Sequence, residues 1–82
     1  METTQYIVRV HPAAEGGFWA EVPALPGCFS HGHSVEVVTS RVRETIEYHL
    51  AELALVGERP PVEKSPRRSY AIPVTVRAPR LA

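Results

Sequence analysis

Two spacings of apolar residues divide this chain. In Tyr6-Ile-Val-Arg-Val10 and Phe18-Trp-Ala-Glu-Val22, every second side chain falls on one face, which is the period of a β-strand. Pro12 and Gly16-Gly17 lie between the two runs and predict the turn of a hairpin. Pro23 ends the second run, because proline cannot donate to a ladder. Pro26-Gly27 suits the central pair of a type II turn, with glycine at positive φ. Cys28-Phe-Ser30 then reads as a short third strand.

From Val35 the spacing changes. Val35, Val38, Val42, Ile46, Leu50 and Leu53 recur at intervals of three and four, one face of an α-helix. Ser34 is a fitting N-cap, Glu36 suits the dipole of the first turn, and Gly57 before Pro60-Pro61 marks the end. The helix is predicted over 35–56. Residues 58–69 carry three prolines and read as a connection. Tyr70-Ala-Ile-Pro-Val-Thr-Val76 reads as a last strand, which Pro73 confines to an edge. The fold class is α+β, in the order β-β-β-α-β. Read as a crossover, the strand–helix–strand unit makes the last strand parallel to the first. The expected product is a four-stranded mixed sheet of order 3-2-1-4 with one long helix on one face. Tyr6, Val8, Val10, Phe18, Ala20, Val22, Ile72, Val74 and Val76 would lie under the helix. Ile7, Arg9, Trp19, Glu21 and Thr75 would point the other way.

Composition narrows the classes. Eighty-two residues, 44% hydrophobic and 22% charged, suit one small domain over 1–82 with its core in 6–76. No apolar run approaches the ~20 residues of a membrane span, and no secretory signal is visible at the N-terminus. A single cysteine, Cys28, excludes an internal disulfide and fits a reducing cytoplasm. Nine basic and nine acidic residues balance to zero, which argues against broad electrostatic binding of nucleic acid by this chain alone. The charge is unevenly spread. Residues 1–37 hold Arg9 against Glu2, Glu15, Glu21 and Glu36, a net −3, while residues 58–82 sum to +4. That basic tail reads as solvated surface, with nucleic-acid contact as the alternative.

Gly16-Gly17-Phe18-Trp19, then Glu21-Val-Pro-Ala-Leu-Pro-Gly-Cys28, then Gly32-His-Ser-Val-Glu36 opening a long helix, together resemble the short form of the HicB-like antitoxin family. The resemblance covers Tyr6 to Val76, and its specific part is Val22-Pro-x-x-Pro-Gly-Cys28. It implies a partial ribonuclease-H-like fold without ribonuclease activity. It also implies a partner, a HicA-like mRNA-cleaving toxin neutralised by covering its active surface. Longer relatives add a C-terminal DNA-binding domain. The sequence stops at Ala82, so none is expected here. Val37-Val38 and the histidines flanking Gly32 depart from the family's usual residues without upsetting the fold.

The candidate chemistry points to binding. Ribonuclease-H chemistry needs clustered carboxylates, usually Asp, around two metal ions. This sequence has no Asp, and nothing brings Glu21, Glu44, Glu47 and Glu52 together. Cys28-x-x-His31-x-His33 is the one metal-like cluster, with His11 or His49 as a conceivable fourth ligand. Its plainer reading is a buried small side chain followed by two loop histidines. No enzyme activity, cofactor or metal is therefore expected. Tryptophan and arginine are enriched at the centres of interfaces, so Trp19 with Ile7, Arg9 and Glu21 forms the expected partner-binding face. Val37, Tyr48 and Leu55 share the outer face of the helix, and Tyr48 joins the set. A small core with two uncovered apolar patches also predicts a homodimer or larger homo-oligomer. The alternatives are a small oligomeric nucleic-acid-binding regulator using the basic tail, and an oligomeric domain with no toxin.

Overall fold

The computed structural model describes residues 2–63 and 71–79. Its elements are β1 (Glu2–Pro12), β2 (Phe18–Glu21), β3 (Phe29–Gly32), α1 (Val35–Leu55) and β4 (Ala71–Ala78). Tyr70 and most of the basic tail, including Lys64, Arg67, Arg68 and Arg80, lie outside the described residues.

The strands form one sheet in the order β3-β2-β1-β4, as the sequence predicts. β1 and β2 pair through Arg9 with Glu21 and His11 with Trp19, and β2 and β3 through Trp19 with His31 and Glu21 with Phe29. The turn between Val22 and Cys28 carries the register one pair further, the Val22 N–H donating to the Cys28 carbonyl at 3.1 Å. Within it, Cys28 N–H donates to Leu25 O at 3.0 Å and Gly27 has φ +84°. That is the type II geometry expected of Pro26-Gly27.

The direction of β4 corrects the expectation. It runs antiparallel to β1, with Ile7 opposite Pro73 and Arg9 opposite Ala71, so the sheet is wholly antiparallel rather than mixed. The crossover rule governs chains that re-enter the sheet at the end where the helix leaves them. Here α1 ends in a Schellman turn: Glu58 N–H donates to Leu53 O and Gly57 N–H to Ala54 O, with Gly57 at φ +75°. The chain then passes back along β1. Tyr6 Oη donates to the Pro61 carbonyl at 2.6 Å, and the Ile7 N–H donates to Glu63 Oε1 at 2.6 Å. A connection of 15 residues (56–70) can span a strand's length, so β4 enters from the far end.

One face of the sheet packs on α1. Tyr6, Val8, Ala20, Val22, Val74 and Val76 meet Val38, Val42, Ile46 and Leu50 in the core, with Leu25, Cys28 and Ala78 at its margins. Val10, Phe18, Ile72 and Leu53 are partly buried against it. Val35, assigned by spacing to the same stripe, is exposed. Ser34 caps the helix by accepting the Val37 N–H at 3.1 Å.

Candidate functional site

Alternation along β1, β2 and β3 places Arg9, His11, Trp19, Glu21, Phe29 and His31 on the sheet face away from α1. The register arranges them in two rows across three strands: Arg9–Glu21–Phe29 and His11–Trp19–His31. Trp19 is at the centre of its row. The His11 ring stacks on it with centroids 4.5 Å apart and planes 26° apart. His11 Nε2 also lies 2.8 Å from Glu21 Oε2, so one histidine holds both the tryptophan and the carboxylate. In the next strand Phe29 meets His31 edge-on at 6.3 Å. Phe29, on the edge strand β3, is 56% exposed and adds an open apolar ring beside Trp19. Arg41 reaches from α1 to the His31 carbonyl at 3.0 Å, closing part of the free edge of β3.

Trp19, Glu21 and Phe29 also line a cleft of about 420 Å³, closed at one end by the Pro23–Cys28 turn. The patch thus combines aromatic rings, one carboxylate and a shallow recess.

The predicted site residues fare differently. Arg9, Trp19 and Glu21 lie on this face and are partly exposed. Ile7 lies on the same face by alternation but is only 3% exposed, so its side chain offers no surface to a partner. Its backbone is engaged by Glu63 from the returning connection, a segment whose path depends on the direction of β4. Tyr48 is 70% exposed, but it stands on the outer face of α1. The whole thickness of helix and sheet separates it from Trp19, so the two belong to different surfaces. Leu55 and Val56 extend the Tyr48 patch toward the end of the helix.

His11, Phe29 and His31 share this face; the sequence points to the two histidines only as conceivable metal ligands and does not single out Phe29. For Phe29 the signal was present: once Cys28 is placed in the core, alternation turns Phe29 outward. His11 required the exact hairpin register, which the five residues between Pro12 and Phe18 leave ambiguous.

The metal-like cluster does not assemble. Cys28 packs in the core, whereas His31 lies on the opposite sheet face and His33 is exposed. Residues an odd number apart along a strand point to opposite faces, and among the described residues no group of three His, Cys, Asp or Glu could hold a metal ion. Burial pushes the Cys28 thiol upward, away from the reactive thiolate. The carboxylates are likewise dispersed: Glu21 is on the open face, while Glu47 accepts the Arg77 N–H at 2.8 Å beside β4. Among the described residues no helix is long and apolar enough to cross a membrane.

Comparison with known proteins agrees with this architecture. Residues 6–73 match the model of the HicB_like antitoxin of the bacterial toxin-antitoxin system. The chain is 43% identical over 53 residues to the UPF0150 protein ssl0259 of Synechocystis sp., a match covering 65% of this chain and 58% of that protein. It therefore spans somewhat over half of that relative's length. A second UPF0150 protein of Synechocystis sp., ssr1765, is 34% identical over 59 residues, covering 72% of each chain. Among solved structures, the Burkholderia pseudomallei antitoxin HicB superposes with a TM-score of 0.70 at 23% identity, over 92% of this chain and 63% of that one. A chain of a HicA3 and HicB3 toxin-antitoxin complex superposes with a TM-score of 0.65 at 22% identity, over 94% of this chain and all of that one. At such identities the superpositions establish a shared fold.

Proposed function

The chain belongs to the HicB-like antitoxin family of bacterial toxin–antitoxin systems, and from that membership we propose that it neutralises a HicA-like RNA-cleaving toxin by covering the toxin's RNA-binding surface. The observation that carries the mechanism is the open sheet face, where Trp19 is held by His11 and flanked by the exposed Phe29. The HicA3 and HicB3 structure, which shares the fold, is a toxin–antitoxin complex, and that supports a protein partner. A protein that binds RNA presents a positive surface around its active site. The first 37 residues of this chain, at net −3, complement such a surface and speed encounter. Trp19 then supplies the buried anchor, with Arg9 and Glu21 beside it. The effect is stoichiometric, since binding and not turnover is what this face provides.

The exposed Tyr48, Leu55 and Val56 on the other side of the molecule offer a separate surface for self-association. A dimer formed there leaves the Trp19 face available to the toxin.

The test is co-expression. Induction of the gene product encoded next to this one should arrest growth, and simultaneous expression of this chain should restore it. Arrest that persists despite abundant folded antitoxin would overturn the reading.

A further inference from the structure

The cleft beside Trp19 has a chemistry more specific than a general contact surface. Its lining combines two aromatic rings and a single carboxylate with the largely apolar turn that runs from Val22 to Cys28. Trp19 and Glu21 stand two residues apart on the same face of β2, and Phe29 faces Glu21 directly from β3. In such a ladder direct neighbours are about 5 Å apart and next-nearest ones about 7 Å, so both rings flank the carboxylate. Trp19 is braced from behind by the His11 ring at 4.5 Å. Glu21 Oε2 is held by His11 at 2.8 Å, and a carboxylate has room for about four hydrogen bonds, so further donors can still be accepted. Arg9 neighbours Glu21 from the β1 side and is not among the residues that line the cleft.

We infer that this cleft receives an arginine side chain presented by the partner protein, its guanidinium lying against Trp19 and Phe29 and donating to Glu21. The inference rests on the antitoxin reading for the source of the arginine and on the cleft for its identity. The turn residues and the two rings suit an occupant with an apolar stem, but one with no donor at its tip would strip water from Glu21 without replacing its hydrogen bonds, which is unfavourable. An acidic occupant is repelled. Among cations, arginine is flat, weakly hydrated and able both to stack on aromatic faces and to pair with a carboxylate, whereas the compact lysine ammonium gains less from two ring faces. The charge of the surrounding half-chain has the matching sign.

Trp19 is the one tryptophan in the sequence, so its indole N–H gives a single, unambiguous NMR signal. The full 82-residue chain is titrated with acetyl-Gly-Arg-Gly-amide and, separately, with the same tripeptide carrying citrulline, which has arginine's shape without its charge. The arginine peptide should move the indole signal saturably and the citrulline peptide should bind at least about tenfold more weakly. Glu21→Gln and Phe29→Ala should each weaken the arginine peptide about tenfold, and His33→Gln, which lies outside the cleft, should not. Equal binding of the two peptides, or arginine binding by Glu21→Gln as tight as by the parent, overturns the inference. Arginine binding that obeys this pattern alongside a toxin that cleaves unchecked supports the cleft and removes the antitoxin reading. A toxin inhibited equally well by the parent, Glu21→Gln and Phe29→Ala removes the cleft and leaves that reading standing.

Discussion

Gly32 shows how closely the helix is seated on the sheet. A Cβ there would lie 2.7 Å from the Val38 backbone nitrogen, and one on Gly17 would lie 2.7 Å from the Gly32 carbonyl oxygen. Hairpin turn, β3 and the first turn of α1 are thus stacked backbone on backbone. Gly32→Ala should cost about 1–3 kcal/mol in chemical denaturation, since backbone atoms must move to admit the methyl group. Gly16→Ala meets nothing within 4 Å and should cost only the strain of its φ, +104°, about 1 kcal/mol. Tyr6 gives a second residue-scale prediction. Burial, and to a lesser degree the nearby Glu63 charge, raises its phenol above the ordinary value. The folded state therefore holds that proton more tightly than the unfolded chain. The stability this brings is complete below the phenol's ordinary range and is lost as pH rises through the raised value. Thermal unfolding of the parent should shift downward above about pH 10. Tyr6→Phe should flatten that decline while losing about 1 kcal/mol with the hydrogen bond to Pro61. Some decline should persist, because burial raises the Cys28 thiol in the same direction.

Each edge strand of the sheet is guarded differently. Ile7 turns its N–H toward Glu63 and away from β4, so Pro73, opposite it, owes β1 no hydrogen bond. The position that would point an N–H outward is the one occupied by proline. Farther along the same edge, Glu47 takes the outward N–H of Arg77. At the other edge, Arg41 occupies the His31 carbonyl. Replacing Pro73 with threonine restores an outward donor, and together with Glu47→Ala it should open the β4 edge to strand pairing. Light scattering should then detect concentration-dependent association beyond that of the parent chain, and unchanged scattering would count against the guard. The elements themselves were legible in the sequence, because periods of two and of three-to-four residues are properties of the chain. Ser34, Gly57 and the Pro26-Gly27 turn were legible for the same reason: each is a local backbone requirement. The direction of β4 was not legible, since it depends on a long connection whose path is set by contacts of Tyr6 and Ile7 with residues more than fifty positions away.

At the scale of the molecule, the helix divides the surface into two sides with different character. The sheet side carries Trp19, Phe29, Glu21, His11 and His31, and the helix side carries Tyr48 and Leu55. The sequence placed Trp19, Arg9 and Glu21 together by parity alone, which a single sheet face guarantees. It could not show that the return of the chain engages Ile7, nor that His11 closes on Trp19, because both depend on register and on the connection. With the two sides separated, Tyr48→Lys should alter self-association, measured by light scattering at high micromolar concentration, without weakening toxin inhibition. Glu21→Lys should slow toxin association and reduce its dependence on salt, as expected when one charge of a complementary pair is reversed.

The most direct test titrates this chain into the neighbouring gene product while following cleavage of an RNA substrate. Cleavage should fall linearly to a sharp end point at a fixed molar ratio. Trp19→Ala, folded as judged by circular dichroism, should bind about 30- to 1,000-fold more weakly, a loss of about 2–4 kcal/mol. Cleavage unaffected at tenfold molar excess, or a Trp19→Ala chain that inhibits as well as the parent, would contradict the account.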